Sequence, residues 1–252
     1  GLGNLGVNDN VQRSSPVQVP GTTWTTKIAQ GAATSFAIKT DGTLWAWGNN
    51  NGGNLGTNTP DNTHISSPIQ IPGTTWSSVS SSSPGKRFTL ATKTDGTLWS
   101  WGYNQKGALG HNQHYTPGSG QEAKSSPTQI PGTTWDSGEG AIFAGSNCSY
   151  AIKTDGTLWG WGSNTSAELG QNSKINYSSP VQIPGTTWSK TRGRACLKTD
   201  GTLWSWGYND QGELGQNSRT HHSSPIQIPG TTWVDIGGSL VDSGPLLALK
   251  NL

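Results

Sequence analysis

Apolar and polar positions alternate along this chain in short runs. Phe36-Ala37-Ile38-Lys39 is followed by Thr40-Asp41-Gly42 and then by Thr43-Leu44-Trp45-Ala46-Trp47. Period-two runs broken by Asp-Gly predict two strands joined by a hairpin, and Asp-Gly predicts a type I′ turn with positive φ at both central residues. The decamer Lys-Thr-Asp-Gly-Thr-Leu-Trp-x-Trp-Gly occupies 39–48 and recurs at 93–102, 153–162 and 198–207. Asp41-Gly42, Asp95-Gly96, Asp155-Gly156 and Asp200-Gly201 are therefore hairpin tips. No second carboxylate follows them at EF-hand spacing, which argues against calcium. Leu44, Trp45, Ala46 and Trp47 make both faces of the second strand apolar, so it must be covered on both sides. Sustained helical periodicity is absent.

A second motif, Ser-Ser-Pro-x-Gln-x-Pro-Gly-Thr-Thr-Trp, ends at Trp24, Trp76, Trp135, Trp188 and Trp233. Its proline-fenced run suits an edge strand or a connection, and Pro-Gly a turn. A period of about 50 residues with several short strands per unit is the signature of a propeller. The chain divides into a part unit at 1–13, units at 14–65, 66–124, 125–177 and 178–222, and a part unit at 223–252 that opens a further hairpin at Leu246–Lys250. In the fourth unit, Ser189 to Leu197 is too short for the strand that the other units place there, and Ser77 to Lys86 is unusually rich in serine.

Leu44-Trp-x-Trp-Gly48, Asn49, Gly53-Asn-Leu-Gly56 and Ser67-Pro68 stand in the order of the repeat of the regulator of chromosome condensation (RCC1-like) family, which this chain resembles over nearly its whole length. The resemblance implies an all-β, single-domain β-propeller over 1–252. Family members are typically seven-bladed, so four complete units plus two part units imply a fragment of a larger ring, or else a small closed ring. The chain holds no Met and opens inside a repeat, which also predicts a longer parent. The Gly-Trp-Arg-His-Thr repeat of the family's plant photoreceptor is absent, so photoreception does not carry over.

Composition narrows the function. A net charge of +2 is too small a balance to predict nucleic-acid binding. No apolar run approaches the length of a membrane helix. Cys148 and Cys196 do not make a disulfide framework, and Cys196 takes a slot that is alanine in the other units. Low charge and a Ser/Thr/Asn/Gly-rich surface predict an extracellular or virion-surface adhesin or structural protein. Asn147-Cys-Ser, Asn164-Thr-Ser and Asn176-Tyr-Ser fit the glycosylation pattern.

Positions that recur in every unit serve the unit's own fold, and positions that differ are free to bind. The Trp pairs and the Asp-Gly and Pro-Gly turns recur. The stretches between Leu-Gly and Ser-Ser-Pro differ, and they carry His64, His111, His114, Tyr115, Tyr177, Arg219, His221 and His222. These are the candidate partner-binding residues, on one face if the units superpose. His111-x-x-His114 and His221-His222 lack the further ligands of a zinc site, so no metal or cofactor is expected. Nucleophile elbow, P-loop and zincin motifs are missing. The reading is a non-catalytic module that binds a protein or glycan, alone, as a homo-oligomer or assembled with structural proteins. Two alternatives stand beside it. One is guanine-nucleotide exchange on a small GTPase, for which no acidic wedge is visible. The other is propeller-type enzyme inhibition.

Overall fold

The structure is a computed structural model that describes residues 3–31, 33–59, 63–82, 87–113, 123–238 and 246–251. Four four-stranded antiparallel sheets follow one another along the chain. The first holds β1 (Trp24–Gln30), β2 (Thr34–Lys39), β3 (Leu44–Gly48) and β4 (Ile65–Gln70) in that order. The second is β5 (Trp76–Ser81), β6 (Phe88–Lys93), β7 (Leu98–Tyr103) and β8 (Ala123–Ile130). The third is β9 (Ile142–Ala144), β10 (Cys148–Ile152), β11 (Leu158–Gly162) and β12 (Tyr177–Ile183). The fourth is β13 (Trp188–Thr191), β14 (Ala195–Lys198), β15 (Leu203–Gly207) and β16 (His222–Ile228). A two-stranded sheet of β17 (Trp233–Gly238) and β18 (Leu246–Lys250) completes the series. The proline-fenced segment is thus the fourth, edge strand of the preceding sheet, and each sheet straddles the unit boundary read from sequence. In the fourth sheet the first strand is not lost. It survives shortened to four residues, with the turn to β14 closed by Arg192-Gly193-Arg194.

The core lies between successive sheets. Phe36, Ile38, Leu44 and Ala46 of the first sheet pack on Trp76, Ala91 and Trp101 of the second, and like layers join the second to the third and the third to the fourth. This is the two-sided burial that the Leu-Trp-x-Trp alternation demands. Cys148 and Cys196 are free, buried members of the layer between the third and fourth sheets, where burial pushes both thiols up to about 12. They are packing residues.

The Asp-Gly turns depart from the expected type. Gly42 has φ +77°, but Asp41 is not in the left-handed region. Gly42 N donates to Lys39 O at 3.0 Å and Lys39 N to Thr43 O at 2.9 Å, so the loop has three residues, a type I turn closed by a left-handed glycine. The reason is the aspartate side chain. Asp41 Oδ1 accepts from Thr43 N at 2.9 Å and from Thr43 Oγ1 at 2.7 Å, and Thr43 Oγ1 accepts from Trp45 Nε1 at 2.9 Å. All four tips repeat this chain. These bonds hold each of the four carboxyls below the usual range. Lys39 Nζ then lies 4.8 Å from the ring centre of Trp24 and 4.2 Å from that of Trp45, a cation–π cradle that recurs in the next three sheets.

The second tryptophan of each pair ties sheets together. Trp101 Nε1 donates to Asn54 O at 3.0 Å, Trp161 to Ala108 O at 2.8 Å and Trp206 to Glu168 O at 2.6 Å. Each acceptor is the residue before Leu-Gly in the preceding loop: Gly53-Asn54-Leu55-Gly56, Gly107-Ala108-Leu109-Gly110 and Ala167-Glu168-Leu169-Gly170. A Cβ on Gly56 would stand 2.7 Å from Trp101 Nε1, which is why that loop closes on glycine. Asn58 N also donates to Ser125 O at 2.8 Å, fixing the loop to the edge strand of the next sheet.

Candidate functional site

Strand direction separates two surfaces. The Asp-Gly tips and the Pro-Gly-Thr-Thr turns lie at one end of the strands. At the other end lie the turns from first to second strand and the long connections from third to fourth. The described parts of the variable stretches therefore share one face.

That face starts from a rigid base. Asn104, Asn164 and Asn209 follow each Trp-Gly pair and are buried. Asn164 Oδ1 accepts from Leu169 N at 2.8 Å and its Nδ2 donates to Ser173 O at 3.0 Å. Asn104 makes the same pair with Leu109 and Gln113, and Asn209 with Leu214 and Ser218. One buried amide thus pins both sides of each loop. Asn164→Ala leaves two backbone groups unpaired and is expected to cost about 2–3 kcal/mol, read as a lower denaturation midpoint. Its burial also makes Asn164 an unsuitable glycosylation acceptor.

On this base the structure groups His221 with two residues that the sequence reading passed over, Tyr208 and Asp210. The rings of Tyr208 and His221 stack with centres 5.0 Å apart and planes 26° from parallel. His221 Nδ1 accepts from Asn209 N at 2.8 Å, and His221 Nε2 faces Asp210 Oδ1 at 3.1 Å. The Tyr208 hydroxyl donates to the other oxygen of Asp210, which raises the phenol above its ordinary range. Both nitrogens of His221 are committed, one of them to the backbone, so the ring is a fixed surface feature. The missed signal is the residue after Trp-Gly, which varies as Asn49, Tyr103, Ser163 and Tyr208.

The other candidates do not converge. His64 and Arg219 are exposed on separate loops. Tyr177 opens β12 opposite Gly162 and packs on the core, and His222 opens β16 opposite Gly207. His114 and Tyr115 lie outside the described residues. Among the described residues no group of three or more His, Cys, Asp and Glu could hold a metal, and no helix is long and apolar enough to cross a membrane.

His111 is structural. Ser100 Oγ gives its proton to Leu109 O at 2.7 Å and stands 2.8 Å from His111 Nε2, so His111 carries its proton on Nε2 and donates it to Ser100. Burial of the ring, and then Lys124, pull its pKa down from 6.5 to about 4. A group with a depressed basic pKa takes its proton first in the unfolded chain. Stability is full above pH 6.5 and falls as pH drops toward 4, by less than about 3 kcal/mol because part of the ring meets water. Melting temperature followed from pH 7 to 4 should show this loss, and His111→Gln should flatten it.

The profile of the regulator of chromosome condensation (RCC1) repeat matches residues 41–92, 95–152, 155–196 and 200–238, and a second profile of the same description matches 26–54 and 141–168. The ultraviolet-B receptor UVR8 of Arabidopsis thaliana is 30% identical over 160 residues, 62% of this chain and 33% of the receptor. The regulator of chromosome condensation of Xenopus laevis is 28% identical over 155 residues, 62% of this chain and 34% of that protein. This chain thus spans about a third of those relatives. Among solved structures, human WBSCR16 superposes with a TM-score of 0.75 at 19% identity, covering 100% of this chain and 66% of that one. Prp20p of Saccharomyces cerevisiae superposes at 0.75 with 17% identity, covering 95% and 60%. These likenesses establish the propeller fold. They also overturn the extracellular or virion-surface placement, since relatives that regulate chromosome condensation work inside the cell. Glycan and virion-assembly partners find no support among these relatives. Ser, Thr, Asn and Gly are abundant here because the turns, caps and loop bases described above use them, and they say nothing of compartment. With most of its length matched by the repeat profile, the chain belongs to the regulator of chromosome condensation (RCC1) repeat family.

Proposed function

We propose that this chain is a non-catalytic, protein-docking propeller module of a regulator, with its partner seated on the variable-loop face. The observation that carries this reading is the division of labour. Repeated residues are consumed by turns, cradles and sheet-to-sheet bonds, while the non-repeated loops stand on buried asparagines and present the Tyr208–His221–Asp210 stack. A rigid aromatic beside a charge is the kind of group that anchors protein interfaces. A relative supports a protein partner: Prp20p, the yeast RCC1, has binding properties to Gsp1p and histones and has also been solved bound to Kap60. The alternative reading is that the module accelerates nucleotide exchange on a small GTPase, which the relatives support better than adhesion.

The test uses purified small GTPases carrying fluorescent GDP, and core histones. Binding to at least one is expected. Tyr208→Ala with His221→Ala and Arg219→Glu should weaken it tenfold or more, and Thr133→Glu with Thr186→Glu on the opposite face should not. Faster GDP release would support exchange. Binding to none of them, or equal loss from both faces, would contradict docking on the loops.

A further inference from the structure

Non-repeated residues occur in a second place. After the Thr-Thr-Trp tryptophan the chain reads Thr25-Thr26-Lys27, Ser77-Ser78-Val79, Asp136-Ser137-Gly138, Ser189-Lys190-Thr191 and Val234-Asp235-Ile236, whereas the second, third and fourth strands keep their motifs. These segments form or lead into the first strand of each sheet, and the first strands of successive sheets meet. Lys27 Nζ donates to Ser77 Oγ at 3.3 Å, and Ser77 Oγ donates to Ser137 O at 3.3 Å. Ser80 Oγ accepts from Ala144 N at 3.0 Å, and Lys190 pairs with Asp235 at 2.8 Å. The first three of these segments, with Arg192, line a cavity of about 590 Å³ whose wall includes Lys27, Gln30, Ser81, Glu139, Phe143 and Arg192. That volume is in the range of small-molecule sites.

The wall is polar and unevenly charged. Its lining holds two cationic side chains, Lys27 and Arg192, and one carboxylate, Glu139, and Asp235, next to Arg192, is already paired with Lys190. Arg192 Nη1 donates to the Thr191 carbonyl at 3.1 Å, which leaves other guanidinium donors to recognise an oxyanion. The serine-rich stretch supplies hydroxyls on β5, and Phe143 an apolar ring. We propose that this cavity binds a small hydroxylated anion of the sugar phosphate or sugar acid class. Lys27 and Arg192 hold the oxyanion, the serine and Gln30 side chains bond the hydroxyls, and Phe143 packs on the apolar face of the ring.

Calorimetry with glucose 6-phosphate, glucuronate, glucose and inorganic phosphate tests this. At least one anionic sugar should bind tenfold or more tighter than both glucose and phosphate, and which one does so tells phosphate from carboxylate recognition. Lys27→Gln and Arg192→Gln, each checked for an unchanged melt, should weaken it tenfold or more, and Arg219→Gln on the loop face should not. No binding of either anionic sugar, equal binding of glucose or phosphate alone, or indifference to both cavity variants would overturn the assignment.

Discussion

Trp161→Ala is expected to lower stability by about 3–5 kcal/mol, the usual cost of deleting a buried aromatic side chain. Trp161 has no exposed surface and lies in the layer between the second and third sheets with Phe88, Leu98, Leu109 and Trp135. Its indole N–H also bonds Ala108 O across the sheet boundary at 2.8 Å. Ala108 O keeps a second donor, Ser149 Oγ at 2.8 Å, so most of the loss is cavity and not an orphaned carbonyl. For a chain of this size the melt should fall by roughly 10 °C. Trp161→Phe separates the two contributions: it keeps most of the volume, loses the bond, and should cost about 1–2 kcal/mol. In a repeat array energy is shared between neighbours, so the weakening should be local to the second and third sheets and visible there by hydrogen exchange. A drop below about 1 kcal/mol for the alanine variant would contradict the inter-sheet role.

Gly42→Val is expected to cost about 3–4 kcal/mol, from two sources that add. A left-handed conformation costs an L-residue about 1–2 kcal/mol, and more when it is β-branched. The new Cβ would also stand 3.1 Å from Thr75 N and 3.2 Å from Thr75 Cα, backbone atoms at the entry to the next sheet. Gly42 O meanwhile accepts from Trp76 N at 2.9 Å, so the tip cannot move away without losing a bond between sheets. Gly42→Asn, which tolerates the same φ, should cost less than valine. Asp41→Gly discriminates between turn types. A type I′ turn would accept glycine there, whereas the observed turn loses two bonds to Thr43 and should be destabilised by about 1–2 kcal/mol. Denaturation midpoints decide between them.

Much of the fold was legible because each motif serves a local purpose. Alternation around Asp-Gly placed β2 and β3, and apolar residues on both faces of Leu44–Trp47 required neighbours on both sides. The turn type was misread because Asp41 bonds forward to residue 43, through its backbone N–H and through a hydroxyl that only a threonine or serine there supplies, and these bonds keep Asp41 out of the left-handed region. The site was less legible. His111 and His221 look alike as loop histidines, yet one is held by Ser100 under the loop and the other stacks on Tyr208 in the open. Only the path of each loop separates them. The Ser-rich stretch was noticed as odd, but its meeting with Lys27 joins residues 50 apart. Compartment was misjudged because composition reports turn chemistry, not location.

The central claim is that repeated positions build the scaffold and the loop face docks a protein. Hydrogen exchange of the chain, alone and with a purified small GTPase stripped of nucleotide or with core histones, tests it most directly. The account predicts new protection at residues 208–222 and 111–113, with the Asp-Gly tips at 40–43, 94–97, 154–157 and 199–202 unchanged. Protection at the tips instead, or none anywhere with either the GTPase or core histones at saturation, would contradict it.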